Sequence, residues 1–377
     1  MMVANFPPDV GYAWWLMEAF WISIAEAERE NYDSILAYPS KGIVPTAVLS
    51  SPLTIAYVDF TSTHPRAVLH QIGFIRANNV RVLYLTDQPA ISLKYLAYKL
   101  AGVRRIIVHD HAPGDRSVPP WAKGLLKAIV ARLPLVSADA LFGTSAFTTK
   151  RHQLVYRYPA RRLYTVANGI PAAPIANPTD TYSAFRIPRD RLVVVSASRA
   201  HRVKRIDAIL YAIAELIHTA RRTDLHFLHL GDGPELESLL QLAETLSISE
   251  YVTFAGRVNE PSQYFPSCSV GLHLSSAEVG YSLSTLEMMR GRLPMIVADD
   301  RSVCGATIDG ETGFLVPASD PVSVSKAIAT LLDSEELRRS MGLAGYRLQQ
   351  STFTISSTLC SLTRAVHQVI SSQPVAR

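Results

Sequence analysis

Short apolar runs alternate with longer stretches of helical periodicity along almost the whole chain. Over residues 1–170 the apolar runs fall at 2–5, 35–38, 54–59, 81–85, 105–108, 140–143 and 163–166. Between them, apolar residues recur at helical spacing over 12–28, 65–78, 91–101, 121–133 and 147–156. Strand and helix in strict alternation predict a parallel sheet covered by helices. A second series has strands at 192–196, 225–230, 251–255, 270–274, 295–298 and 313–316, and helices at 206–220, 234–247, 283–290 and 322–332. The stretch between the two series contains Pro171, Pro174 and Pro178, lacks periodicity, and reads as an interdomain linker. The expected organisation is α/β: a Rossmann-like domain over 1–170, a linker over 171–189, a second Rossmann-like domain over 190–355, and a terminal helix within 356–377.

Composition narrows the class. With 377 residues, 48% of them hydrophobic, the chain can bury two cores and carries no disordered tract or repeat. Cys268, Cys304 and Cys360 are odd in number and lack metal-ligand spacing, as expected of a reduced cytoplasmic protein. The net charge of +5 is uneven: residues 1–170 hold 18 Lys/Arg against 11 Asp/Glu, the remainder 19 against 21. A basic first half is either a solvated surface or an attractant for anionic lipid or a phosphorylated acceptor. No basic run with interleaved aromatics points to nucleic acid. The apolar stretch around Trp14, Trp15 and Trp21 is short for a bilayer, is interrupted by Glu18, and has no basic segment before it. It is expected to be a buried first helix, with a membrane-facing edge as the alternative.

Chemistry concentrates between Leu274 and Asp300. A small-residue turn ends in Glu278, a Gly280-Tyr281-Ser282 turn follows, and a short helix beginning near Leu283 carries Glu287. Gly291 and Pro294 then stop the helix and open a strand. A turn feeding a helix N-terminus aims free backbone N–H groups and the positive end of the helix dipole at one spot, which suits phosphate. A carboxylate one turn further on can accept hydrogen bonds from two sugar hydroxyls. A buried loop-helix-strand unit without ligand would show the same outline.

This order of acid, Gly-aromatic-Ser-Leu, Glu and Gly-x-Pro resembles the donor-site signature of retaining GT-B glycosyltransferases, family 4 in particular. Eight residues separate Glu278 from Glu287, one more than the family's spacing, because Val279 stands before Gly280. Further matches follow in the family's order. They are Ala138-Asp139-Ala140 with Thr144-Ser145, Asn168-Gly169-Ile170, Ser198-Arg199 with Lys204, Leu230-Gly231-Asp232-Gly233-Pro234, Thr253 to Val258, and Asp309 to Pro317. Together they cover about residues 130–320; the earlier part matches in layout only.

The resemblance implies a GT-B fold, two Rossmann-like domains facing each other across a cleft, with the terminal helix crossing back to the first. It implies transfer of a sugar from a nucleotide-sugar donor, a UDP-sugar ahead of a GDP-sugar, to a glycan or lipid-linked acceptor, with retention and without metal. No Asp-x-Asp is present and no cofactor is expected. The implied catalytic groups are Glu278, His109, Arg199 and Lys204, with His111 as an alternative to His109. The implied donor-binding groups are Gly11, Gly256, Arg257, Ser282, Leu283 and Glu287. Two rival readings stand beside it: a sugar-nucleotide epimerase or hydrolase on the same fold, and a catalytically silent partner subunit. An enzyme of this kind is expected in the cytoplasm, with peripheral contact to an anionic membrane.

Overall fold

A computed structural model of the protein describes residues 1–8 and 14–372, in two compact units. Gly11 and the first two positions of the expected helix at 12–28 lie outside the described residues.

Unit 1 comprises residues 1–112 and 116–167 together with the segment from Ser356 onward. Its elements are β1 (Met2–Val3), α1 (Trp15–Ala27), β2 (Ser34–Tyr38), α2 (Thr46–Leu49), β3 (Leu53–Tyr57), α3 (Pro65–Ala77) and β4 (Val82–Thr86). There follow α4 (Lys94–Leu100), β5 (Arg105–Asp110), α5 (Trp121–Arg132), β6 (Ala140–Gly143), α6 (Ala146–Val155) and β7 (Leu163–Thr165). The seven strands form one parallel sheet in the order β3-β2-β1-β4-β5-β6-β7. Local signals set the helix starts. His64 accepts from the Arg66 N–H ahead of Pro65 in α3, and Ser145 accepts from the Thr148 N–H in α6.

Of the tryptophans at the start of α1, Trp21 belongs to the core: it and Phe20 are fully buried, and Trp21 meets Tyr38 edge-on at 6.1 Å, while Trp14 and Trp15 are partly buried. Ile75 of α3, Tyr95 and Tyr98 of α4 and Ala131 of α5 share a single core with strand residues such as Leu83, Ile106 and Leu141. These three helices therefore form one layer on one face of the sheet.

Unit 2 comprises residues 113–115 and 168–355. It contains α7 (Thr181–Phe185), β8 (Leu192–Ala197), α8 (Ile206–Ala214), β9 (Leu225–Leu230), α9 (Leu236–Thr245), β10 (Val252–Phe254) and β11 (Val270–His273). Then come α10 (Leu283–Arg290), β12 (Met295–Ala298), β13 (Gly313–Val316), α11 (Pro321–Asp333) and α12 (Glu335–Thr352). The last helix of the chain, α13 (Ile355–Ser371), packs within unit 1, where Arg105 donates to the Val369 carbonyl at 3.0 Å and His367 meets Glu28 at 3.0 Å.

The six strands of unit 2 are parallel, in the order β10-β9-β8-β11-β12-β13. Winding runs outward from β8 to β10, then restarts at β11 and runs the other way. In open α/β sheets this reversal leaves a crevice at the carboxyl ends of the two central strands, where ligands bind. β8 and β11 are those strands.

Two features depart from the sequence pattern. The proline-rich stretch is fastened to unit 2: the Thr179 N–H donates to Gln263 at 2.9 Å, and Thr181 Oγ1 to the Tyr264 carbonyl at 2.7 Å. The 18-residue helix α12 is missing from the predicted elements, because Gly342 and Gly345 interrupt its polar sequence. Both glycines are buried where α12 crosses behind α10, and a Cβ on Gly342 would lie 2.0 Å from the Arg292 carbonyl oxygen. The residue that weakens helix propensity is the one that allows this approach. At the margin of the unit, Ile170 and the segment 353–355 run as paired extended chains, with Ile170 N–H to Phe353 O at 3.0 Å and Ile355 N–H to Ile170 O at 2.9 Å.

Candidate active site

The loops leaving β8, β9 and β11 meet at the carboxyl edge of the unit 2 sheet. After β8 the chain passes Ser198 and Arg199 into a tight turn at Arg202–Lys204, and Arg205 takes a left-handed conformation (φ 52°) to start α8. After β9, Gly231 has φ 150°, and a Cβ there would sit 1.8 Å from the Ser198 carbonyl oxygen. Only glycine lets the two loops close together. The Gly231 N–H reaches Gly256 O at 2.8 Å and the Ala200 N–H reaches Asp232 O at 2.9 Å, so the loops after β8, β9 and β10 are stitched into one floor.

The loop after β11 is tied to the same floor. The Ser276 N–H donates to Val203 O at 2.8 Å, and Ser275 Oγ donates to Val203 O at 3.1 Å. Asn168 holds the turn that follows, donating to the carbonyls of Val279 (3.0 Å) and Tyr281 (3.2 Å). These bonds set Glu278 beside Lys204. The Lys204 ammonium donates to Glu278 Oε1, and the same oxygen lies 2.8 Å from His273 Nε2 at the end of β11. Burial pushes the Glu278 carboxyl up, but His273 and Lys204 outweigh it and hold the group well below the ordinary range for glutamate. Lys204 is thus fixed in place by an ionised carboxylate, and that carboxylate is already occupied on one oxygen.

α10 begins at the reversal point. Its N-cap, Ser282, is extended and makes no side-chain cap; its hydroxyl lies 3.1 Å from the Ser284 hydroxyl instead. The N–H groups of Leu283, Ser284 and Thr285 therefore have no partner within the helix. The Thr285 hydroxyl is buried without a hydrogen bond among the described residues. One turn on, Glu287 is partly covered, and burial pushes its carboxyl up to about 7, with Arg290 offsetting part of the shift. A carboxylate in that state gains from any O–H donor brought to it. Tyr281, between the two, packs on Phe353 at 4.7 Å and belongs to the core.

The structure thus brings Glu278, Lys204, Ser282, Leu283 and Glu287 to one edge of unit 2, with Gly256 on the neighbouring loop. No atom lies within 4 Å of the position a side chain on Gly256 would take. Arg199 and Arg257 are on that edge and exposed, and neither has a side-chain hydrogen bond among those found. His273, which sequence reasoning passed over as one apolar-strand position, is the second partner of Glu278.

His109 lies in unit 1, fully buried at the end of β5. Its Nδ1 is 2.5 Å from the Tyr84 hydroxyl, its ring stacks on Phe20, and its Nε2 has no partner among the described residues. Burial, reinforced by His111, pushes its pKa well below the usual histidine range, so it is neutral at physiological pH. His111 is held by Asp87, which accepts from its backbone N–H at 2.6 Å and lies 3.2 Å from its ring. Among the described residues, no group of three or more His, Cys, Asp or Glu gathers as metal ligands do.

A doubly wound sheet with a phosphate-ready helix N-terminus at its reversal point and an acid one turn on defines a nucleotide-binding Rossmann-like unit. Residues 180–348 match the family model "Glycosyl transferases group 1", so the chain carries a glycosyltransferase domain. One relative is N-acetyl-alpha-D-glucosaminyl L-malate synthase of Bacillus anthracis, 27% identical over 67% of this chain and 65% of its own length. A second is the GDP-mannose-dependent alpha-(1-6)-phosphatidylinositol monomannoside mannosyltransferase of Mycolicibacterium smegmatis, 27% identical over 92% of each chain. Among solved structures, a glycosyltransferase from Rickettsia africae superposes over 99% of this chain and 98% of its own, with TM-score 0.80 and 12% identity. HepE of Anabaena, solved in complex with UDP, superposes over 99% of both chains with TM-score 0.74 and 15% identity. The fold is GT-B, with two Rossmann-like units of seven and six parallel strands.

Proposed function

We propose that the protein is a retaining, metal-independent glycosyltransferase of family 4, moving a sugar from a nucleotide-sugar to a glycan or lipid-linked acceptor. The observation that carries the reading is the pairing, at the reversal point of unit 2, of the uncapped α10 N-terminus with Glu287 one turn behind it. The diphosphate sits on the first-turn N–H groups at Ser282 and Leu283, the ribose diol bonds Glu287, and the base lies along the Gly256–Arg257 turn. Lys204 and Arg199 neutralise the charge that grows on the leaving diphosphate, the part a metal would otherwise take. Preorganised donors of this kind lower a barrier by about 2–4 kcal/mol each. The acceptor hydroxyl attacks from the face the diphosphate leaves, and a phosphate oxygen takes its proton. His109 is assigned a supporting role from unit 1. The smegmatis relative, whose name specifies a phosphatidylinositol-based acceptor, supports the lipid-linked class.

A thermal-shift screen with UDP, GDP, ADP, CMP and their sugar conjugates tests this, with the uridine compounds expected first. At about 100 times its dissociation constant a ligand adds roughly 2.7 kcal/mol of stability, a clear rise in Tm. Absence of any shift removes the donor site; a shift without turnover across an acceptor panel identifies a silent partner subunit instead.

A further inference from the structure

The outer side of the α3–α5 layer in unit 1 is built the wrong way round for a helix facing water. α5 turns its small residues inward: Gly124 and Ala131 are buried, and an added Cβ on Gly124 would come within 3.3 Å of Arg157. Its large apolar residues point out. Trp121 is 80% exposed, and Leu125, Leu126 and Ile129 continue the stripe at helical spacing, each more than half exposed. Adjacent α4 does the same with Leu93 (82%) and Leu100 (73%). α4 and the residues before it are tied to the segment that follows α5, where the Ser92 N–H donates to Val136 O at 2.8 Å and Lys99 Nζ donates to Pro134 O at 2.6 Å. Leu69 of α3 faces Leu93 across a shallow apolar groove. Apolar surface this continuous marks an interaction site.

Charge decides what covers it. α3, α4 and α5 together contain seven Lys/Arg and no Asp or Glu; Lys94 is buried on the Phe60 carbonyl and Lys99 pairs with Asp139, while Arg66, Arg76, Lys123 and Arg132 are exposed. A second copy of the chain would set these cations against one another. A bilayer of anionic lipid pairs with them while Trp121 and the leucines enter the headgroup boundary, the arrangement of an interfacial helix. We propose that the outer face of α4 and α5, with Leu69 at its margin, docks unit 1 on an anionic membrane surface through Trp121, Leu125, Ile129 and Leu93, with Lys123 and Arg132 on the headgroups. Trp21 of α1 takes no part, being core. No helix of the described residues is long and apolar enough to cross a membrane, so the contact is peripheral. The surface belongs to unit 1 and does not depend on the activity assigned to the donor site of unit 2.

Flotation of the full chain with phosphatidylcholine vesicles, and with vesicles containing about one-third phosphatidylglycerol, at low and high salt tests this. The wild type is expected to float with the anionic vesicles at low salt only. Trp121→Ser/Leu125→Ser/Ile129→Ser should reduce the bound fraction at least tenfold, and Lys123→Glu/Arg132→Glu should do so too. Melting temperature and nucleotide-induced shift should stay unchanged in both variants, since all five side chains are exposed and far in sequence from the donor site. Wild-type failure to float overturns the proposal, as does equal flotation of the variants. Concentration-dependent dimerisation lost in the Ser variant, without vesicle binding, would overturn it in favour of a second copy.

Discussion

Glu287 is held in a partly covered site where its carboxylate has no hydrogen bond among the described residues, so its proton and a ligand's diol compete for the same oxygens. Its folded pKa is raised to about 7, above the ordinary glutamate value. By linkage its contribution to stability is present below the unfolded pKa and is lost as pH rises through about 7. The ligand-free protein should therefore lose stability from this group as pH rises from about 5 to 7. Nucleotide binding should do the opposite, because the diol favours the ionised carboxylate. Affinity for a ribonucleotide is expected to weaken by up to about tenfold per unit below pH 7. Glu287→Gln should bind weakly at every pH, and titration calorimetry at pH 6 and pH 8 reads both slopes. Equal affinity of the wild type at both values would detach Glu287 from the ribose.

Lys204 poses a second question at this scale, since its charge is already shared with Glu278. Lys204→Met should cut kcat by about a hundredfold or more, as loss of a preorganised transition-state contact does. It should also cost about 1–3 kcal/mol in stability by leaving a buried carboxylate short of a donor. Glu278→Gln, which keeps the shape and removes the charge, should free Lys204 and lose activity with a smaller effect on Tm. Near-normal turnover in both variants would remove this pair from the chemistry.

At the level of elements, α10 is short, eight residues, and its position depends on what stands behind it. α12 fills that role at Gly342, in contact with the Arg292 carbonyl. Gly342→Ala forces the two apart. Overpacking of this type costs about 1–3 kcal/mol, set against the modest helix-propensity gain of alanine. Chemical denaturation should show the loss, and nucleotide affinity should fall with it because the α10 N-terminus moves. Gly345→Ala is the control: its Cβ would meet Met289 at an ordinary 3.6 Å, so neither stability nor affinity should drop. The same helix explains what the sequence pattern could not show. Strands such as 140–143 and 295–298 are continuous apolar runs, legible because both faces of a parallel sheet are buried. α12 is polar and glycine-bearing, and its reason for existing is a contact with a segment about fifty residues away. His273 was hidden similarly, as one polar residue at the end of an apolar run. The α10 turn and Glu287 were visible because their chemistry is local in sequence, and Lys204 because it falls in a match to the family's motif order.

Across the whole molecule, charge and apolar surface are sorted by unit. The first 170 residues carry the positive excess, and three neighbouring helices there hold none of its acids. Sequence alone showed the excess and read the first helix as buried, but the one apolar edge it considered for a membrane was the tryptophan-rich stretch there, and it passed over Trp121. Burial bears out the first helix and singles out the other tryptophan: Trp21 is sealed against Tyr38, and Trp121 is in the open. Periodicity cannot tell these cases apart, since an apolar stripe reads alike whether it faces a sheet or a lipid. Only the small residues on the opposite side of α5, Gly124 and Ala131, reveal which way that helix is turned.

The paired extended segments at Ile170 and 353–355 have a consequence for descent. The chain enters unit 2 and returns from it side by side, so nearly everything between is a single insertion with adjoining ends. A module hung on one hinge-pin can be inherited or exchanged between lineages as one piece, leaving the host's ends where they were. Whatever this unit contributes could then change hands independently of the rest, by recombination at a single seam.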